Sequence, residues 1–131
     1  ALDEARALDA ERKAGKVRGP LHGIVVLAKD VFDTKDMPTS GGFAPMATSQ
    51  PIYDSFVIDR LRSAGAIILA KLNQSDWYGV GKNGGGTLKA RVISPYNPSK
   101  YGGGSSSGTG AAMAAWYGTV GHTPVSFPRT A

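Results

Sequence analysis

The chain has 131 residues, of which 41% are hydrophobic and 19% are charged. This size and composition are typical of one globular domain with a hydrophobic core, and they argue against a disordered chain. The chain contains no cysteine, which excludes disulfides, thiolate metal sites and a cysteine nucleophile and favours a cytoplasmic location. We expect neither a signal peptide, because the N-terminal stretch is charged, nor a membrane span, because no apolar run approaches roughly 20 residues.

The net charge of +5 comes entirely from the second part of the chain. Residues 1–70 hold nine acids and nine bases, whereas residues 71–131 hold six bases and the single acid Asp76. These bases are scattered rather than clustered, which indicates a solvated basic face. An anion site or a nucleic-acid site is the alternative, and we expect no nucleic-acid partner.

Helices and short apolar strands alternate in the first part of the chain. Apolar residues three or four apart predict helices over 2–14 and 54–64, the second of them capped by Asp54. The runs "GIVVLA" at 23–28 and "AIILA" at 66–70 predict two buried strands. A strand, a crossover that contains a helix and a second strand favour a parallel pair in an α/β fold.

The rest of the chain is rich in turn residues. We predict a long irregular loop over 30–53, a short helix over 73–78 and further loop over 79–104. A helix of small residues follows over 110–117. The predicted fold is therefore a mixed or parallel central sheet flanked by helices.

Two sequence features that often mark cofactors or metals carry little weight here. "GVGKNG" at 79–84 matches the dinucleotide fingerprint, but no strand directly precedes it and no helical pattern follows it, which indicates a simple loop. His22 and His122 are the only histidines, too few for a three-histidine zinc site, and we expect both to be structural. We predict no cofactor and no metal.

Lys29 directly follows the first predicted strand. In open α/β sheets, ligands collect at the carboxyl ends of the strands. A lysine that is desolvated there has a lowered pKa and can act as a general base in its neutral form. The alternative is a solvated lysine at a strand end, paired with Asp30.

The stretch "GGGSSSGTG" at 102–110 runs directly into the last predicted helix. A flexible linker would continue into another polar segment, so this pattern favours a structured loop. Its glycines allow backbone amides to approach a ligand closely, and Ser105, Ser106 and Ser107 offer hydroxyls. Amides that converge where a helix begins favour an anion or a developing oxyanion.

Four segments in order resemble motifs of the amidase signature family. They are "RGPLHGIVVLAKD" at 18–30, "FDTKDMPTSGG" at 32–42, "VIDRLRSAGAIILAKLNQSDW" at 57–77 and "SPYNPSKYGGGSSSGTGAA" at 94–112. An ordered set of motifs is far more specific than any one glycine pattern. The resemblance implies a single partial amidase domain, with an N-terminal helix over 1–16, a motif-bearing core over 17–115 and a divergent tail over 116–131.

The resemblance also implies a Ser-cisSer-Lys relay that hydrolyses small-molecule amides without a cofactor. Lys29 matches the family lysine, and Ser105 matches the serine that the family holds through a cis peptide bond, with Ser106 the alternative if the register slips by one. A non-proline cis bond costs about 3–4 kcal/mol. Gly103, Gly104 and Ser106 would form the loop around the substrate and its oxyanion.

The family's nucleophile lies in a later "GTDTGGSIR-PA" motif, where this chain reads "GTVGHTPVSFPRTA". At the family's spacing the nucleophile position falls on Arg129, and the nearby serine, Ser126, is out of register. We therefore expect an N-terminal part of the family domain, or a product whose reading frame departs near His122, that is inactive alone. Nothing in the sequence specifies the amide or the oligomeric state.

Two other functions stay open at the level of sequence. A phosphate- or nucleotide-binding module would use the 102–110 loop, although Asp76 is the only acid after residue 59 to hold magnesium. A non-catalytic fragment would expose apolar strand faces and would depend on a partner or aggregate.

Overall fold

A computed structural model describes residues 1–75, 86–88 and 91–123. These residues form three α-helices, three strands and one short 3₁₀ helix at Ala44–Met46. In chain order the elements are α1 (Leu2–Lys13), β1 (Val25–Lys29), α2 (Phe56–Ser63), β2 (Ile67–Leu72), α3 (Ser107–Ala114) and β3 (Val120–His122).

The three strands form one parallel sheet in the order β2-β1-β3. In the register Ala28 lies between Lys71 of β2 and His122 of β3. The parallel β1–β2 pair and the α/β fold class are confirmed. Strand β3, for which the sequence analysis predicts no element, makes β1 the central strand and places its carboxyl end between two neighbours.

Successive residues of β1 face opposite sides of the sheet. Val26 and Ala28 pack with Ile58 of α2 in the main buried cluster. Leu27 faces the other side, where its side chain fills the space beside Gly118, and α3 packs against all three strands. Lys29 therefore shares its face with Leu27, on the side of α3.

Some predicted boundaries differ from the structure. Helix α2 begins at Phe56 with Ser55 as its N-cap, not Asp54, because the Asp54 carboxylate instead accepts a hydrogen bond from the Lys35 amide and pairs with Arg62. Helix α3 begins three residues before the predicted Gly110, where its first turn docks on the end of β2.

The structure tests other predictions only in part. Residues 73–75 are not helical, and the rest of the helix predicted over 73–78 lies outside the described residues, as does the "GVGKNG" stretch at 79–84. Within the described ranges no helix has the length and apolarity needed to cross a membrane.

Gly65 joins α2 to β2 under two constraints. Its φ is +93°, a backbone conformation that disfavours any residue with a Cβ. A Cβ built there would lie 2.7 Å from the Cα of His22, on the segment that leads into β1. The Gly23 amide donates to the Gly65 carbonyl at 2.9 Å, so this close approach sets where the two strands begin.

Gly65→Ala should therefore destabilise the chain by more than backbone strain alone, which costs on the order of 1–3 kcal/mol. Gly15→Ala is a matched control, because Gly15 has φ +76° but no atom lies within 4 Å of the position that a Cβ would occupy there. Chemical denaturation of both variants measures the difference. Equal losses of unfolding free energy would show that the contact with His22 contributes nothing.

Candidate active site

Lys29 is the last residue of the central strand, and its side chain is 1% exposed. A lysine this buried is uncommon in a small domain, since burial disfavours the charged amine. The position matches the sequence prediction of a lysine at the carboxyl end of a central strand.

The Lys29 amine contacts the glycine-serine loop 76 residues further along the chain. Its Nζ donates to Ser105 Oγ at 2.9 Å and to Ser106 Oγ at 3.0 Å. The structure thus brings together three of the sequence-predicted site residues, and the loop that holds them is folded against the sheet rather than extended as a linker.

A close contact between backbones holds this loop in place. The Gly108 amide in the first turn of α3 donates to the Asn73 carbonyl at 3.1 Å, just beyond β2. A Cβ at Gly108 would lie 2.3 Å from that oxygen, so only glycine allows the approach. Helix α3 is therefore docked at the same sheet edge as Lys29, and the two serines precede it directly.

The chain of hydroxyls extends beyond the serines. Ser106 Oγ lies 2.6 Å from Thr123 Oγ1, a hydrogen-bonding distance at which either oxygen can be the donor. Thr123 directly follows β3. Three segments distant in sequence thus contribute to one hydrogen-bonded line: Lys29, Ser106 and Thr123.

The cis peptide bond expected at Ser105 is not found, since the described residues contain no cis bond. Gly103 and Gly104 make the turn instead, with φ values of 71° and 38°. Glycine adopts positive φ at little cost, whereas a non-proline cis bond costs about 3–4 kcal/mol. The approach of the serines to Lys29 is achieved here with trans peptide bonds.

Burial lowers the pKa of the Lys29 amine from its ordinary value of 10.5. The cause is loss of hydration, which penalises the charged form. A neutral amine keeps a lone pair, so it can donate to one serine hydroxyl and accept a proton from the other. This is the property that a general base requires.

Lys71, on the neighbouring strand, is buried in a different environment. Its Nζ lies 3.1 Å from Asp30 Oδ1 and donates to Thr39 Oγ1 at 2.9 Å. Desolvation lowers the pKa of Lys71, and the bond to Asp30 opposes that effect. Asp30 also accepts hydrogen bonds from the amide and hydroxyl of Ser40, so this pair ties the 38–42 loop to the sheet.

The two histidines have structural contacts. The His22 ring lies 2.9 Å from the Leu8 carbonyl through Nε2 and accepts a hydrogen bond from the Arg18 amide at Nδ1, which holds α1 against the segment before β1. His122 stacks on Phe32 with ring centres 4.5 Å apart, and burial lowers the pKa of its imidazole.

The remaining sequence candidates are not placed. Ser126 and Arg129 lie outside the described residues. In the ranges that are described, no group of three His, Cys, Asp or Glu side chains could hold a metal ion.

Comparison with known proteins decides the family. The model of the family described as Amidase matches residues 1–123. The chain belongs to the amidase family. Among curated amidase relatives, the A subunit of the glutamyl-tRNA(Gln) amidotransferase of Salinispora arenicola (strain CNS-205) is 41% identical over 126 residues, which are 96% of this chain and 24% of that protein. The equivalent protein of Thermobifida fusca (strain YX) is 43% identical over 88% of this chain and 23% of its own length.

Solved amidase structures share the fold. The peptide amidase of Stenotrophomonas maltophilia superposes with a TM-score of 0.78 and 36% identity, over 92% of this chain and 25% of that one. An amidase family protein from Bacillus anthracis str. Ames gives a TM-score of 0.81 and 33% identity, over 88% and 24%. The chain thus spans about a quarter of the length of these amidases.

Sequence reasoning missed Thr123. It lies in the stretch "GTVGHT", which departs from the family motif, and nothing in its composition marks a site. The useful signal would have been position: a residue that follows a third parallel strand lies at the same sheet edge as Lys29.

The two buried lysines should respond oppositely to substitution by methionine. Lys29→Met removes an amine whose charged form burial already penalises, so the free energy of unfolding should stay equal or rise. Lys71→Met leaves Asp30 without its cation, a change that costs roughly 3–5 kcal/mol in a fully buried pair and less here because Asp30 keeps its bonds to Ser40. Urea unfolding compares them, and a larger loss for Lys29→Met would contradict this assignment.

Proposed function

We propose that this chain carries the base and proton relay of an amide hydrolase. The observation that supports it best is the Lys29 amine, 1% exposed and within 3.0 Å of two serine hydroxyls. Burial that lowers the pKa of an amine is costly, and such costs concentrate at functional sites. The amidase family match covers the same residues.

In the proposed reaction neutral Lys29 is the general base. It takes a proton through a serine of the loop, Ser105 by family register, while an attacking hydroxyl adds to the amide carbonyl. The amine then leaves with the returned proton, and water releases the acid. Gly103 and Gly104 lie where loop amides would face the developing oxyanion. Ser126 is the attacking residue that the sequence suggests.

The substrate class that we propose is a small-molecule amide, and the chemistry needs no cofactor. The printed names of the relatives refer to a peptide amidase and to one component of a glutamyl-tRNA(Gln) amidotransferase. Because the chain spans about a quarter of such proteins, we expect slow turnover by these residues alone. The first half-reaction, transfer of an acyl group to the chain, is therefore the step to measure.

The phosphate-binding alternative is not adopted. Two hydroxyls of the 102–110 loop bond to Lys29, which orders them around an amine rather than around a free anion site. The family match also extends across the whole loop.

Acylation by p-nitrophenyl acetate, followed as release of p-nitrophenolate, tests the proposal. The rate should rise with pH, because only neutral Lys29 is a base, and its midpoint should lie below 10.5, the ordinary lysine pKa. Lys29→Met should lower the rate by about 10²–10⁴-fold, the usual contribution of a general base.

The exposed Lys100 provides the matched control, since Lys100→Met removes an equal charge away from the site. An unchanged rate in Lys29→Met, or an equal loss in both variants, would reject Lys29 as the base.

A further inference from the structure

We infer that Thr123, rather than Ser126, supplies the attacking hydroxyl, and that Ser106 is the middle member of the relay. The inference rests on the amide-hydrolase function proposed above. Lys29 Nζ lies 3.0 Å from Ser106 Oγ, and Ser106 Oγ lies 2.6 Å from Thr123 Oγ1. These two hydrogen bonds form a continuous path for a proton between the threonine hydroxyl and the lysine amine.

The sheet explains why Thr123 reaches this position. Strand β3 runs parallel to β1, and Ala28 pairs with His122. The next residue of each strand, Lys29 and Thr123, therefore emerges at the same edge of the sheet. Helix α3 begins just after Ser106 and packs against β3, which places the serine hydroxyl between the two strand ends.

Burial changes along the path in the direction that catalysis requires. Lys29 is 1% exposed, whereas Ser106 and Thr123 are both only partly buried. The base is thus shielded from water, which keeps its pKa low, and the far end of the path is open to a substrate. Threonine hydroxyls activated by a neighbouring base are competent nucleophiles.

The step balances without any further reagent. The Thr123 Oγ–carbon bond forms as the threonine proton passes to Ser106 Oγ and the serine proton passes to Lys29 Nζ. The carbonyl electron pair moves to oxygen and returns as the carbon–nitrogen bond breaks, and the leaving amine takes the proton from Lys29 through Ser106. Water then adds to the Thr123 ester by the same route, which releases the acid and restores the hydroxyl.

A threonine that only held Ser106 in place would make the same hydrogen bond, so the test must detect a covalent bond. We would treat the chain with an alkyl fluorophosphonate, in which a hydroxyl displaces fluoride from phosphorus, and map the adduct by tandem mass spectrometry. The expected adduct is on Thr123. Thr123→Ser should be labelled within about tenfold of the original rate, and Thr123→Val should lose labelling by at least about 100-fold, the scale on which an activated nucleophile exceeds background.

Valine matches threonine in shape, and a cooperative unfolding transition of Thr123→Val would show that the fold persists. Thr119→Val is the control, because Thr119 is exposed at the other end of β3. An adduct on Ser105, Ser106 or Ser126, full labelling of Thr123→Val, or no adduct at all would overturn the inference. Acylation that still depends on Lys29 in those cases would leave the proposed function standing, whereas loss of that dependence would remove both.

Discussion

The site depends on one costly feature, the burial of a lysine amine at the carboxyl end of the central strand. Lys29 is 1% exposed, and its loss of hydration lowers its pKa. A domain of 131 residues has little stability to spare, so a buried amine of this kind is retained against its effect on folding. The serine hydroxyls that contact the amine make it useful, because they connect it to the surface.

Parallel strand pairing and one close backbone contact produce that connection. The sheet aligns the ends of β1 and β3, while Gly108 lets α3 dock on Asn73 at the end of β2. These contacts join segments that are about 76 residues apart, and neither requires a special side chain at the site. On the opposite face of β1, Asp30 and Lys71 hold the 38–42 loop, which leaves the two buried lysines with separate roles.

The sequence is sufficient for the parts of this site that repeat a family pattern or a simple periodicity. Both buried strands, the strand-end position of Lys29 and its association with the glycine-serine loop follow from apolar runs and ordered motifs. Strand β3 and Thr123 cannot be found that way, since a three-residue strand has no periodicity to detect. Propensity favours Asp54 as the cap of α2, but the contacts of its carboxylate with Lys35 and Arg62 decide otherwise.

The pKa of Lys29 itself is the most direct test of the account. A ¹³C-labelled lysine titration by NMR, with the Lys29 signal assigned by its absence in Lys29→Met, measures the protonation of this amine in the folded chain. We expect a midpoint below 10.5, in the same direction as the shift that burial causes. A midpoint at or above that value would mean that the amine is charged throughout the working range of pH, and it would contradict the role of Lys29 as a base.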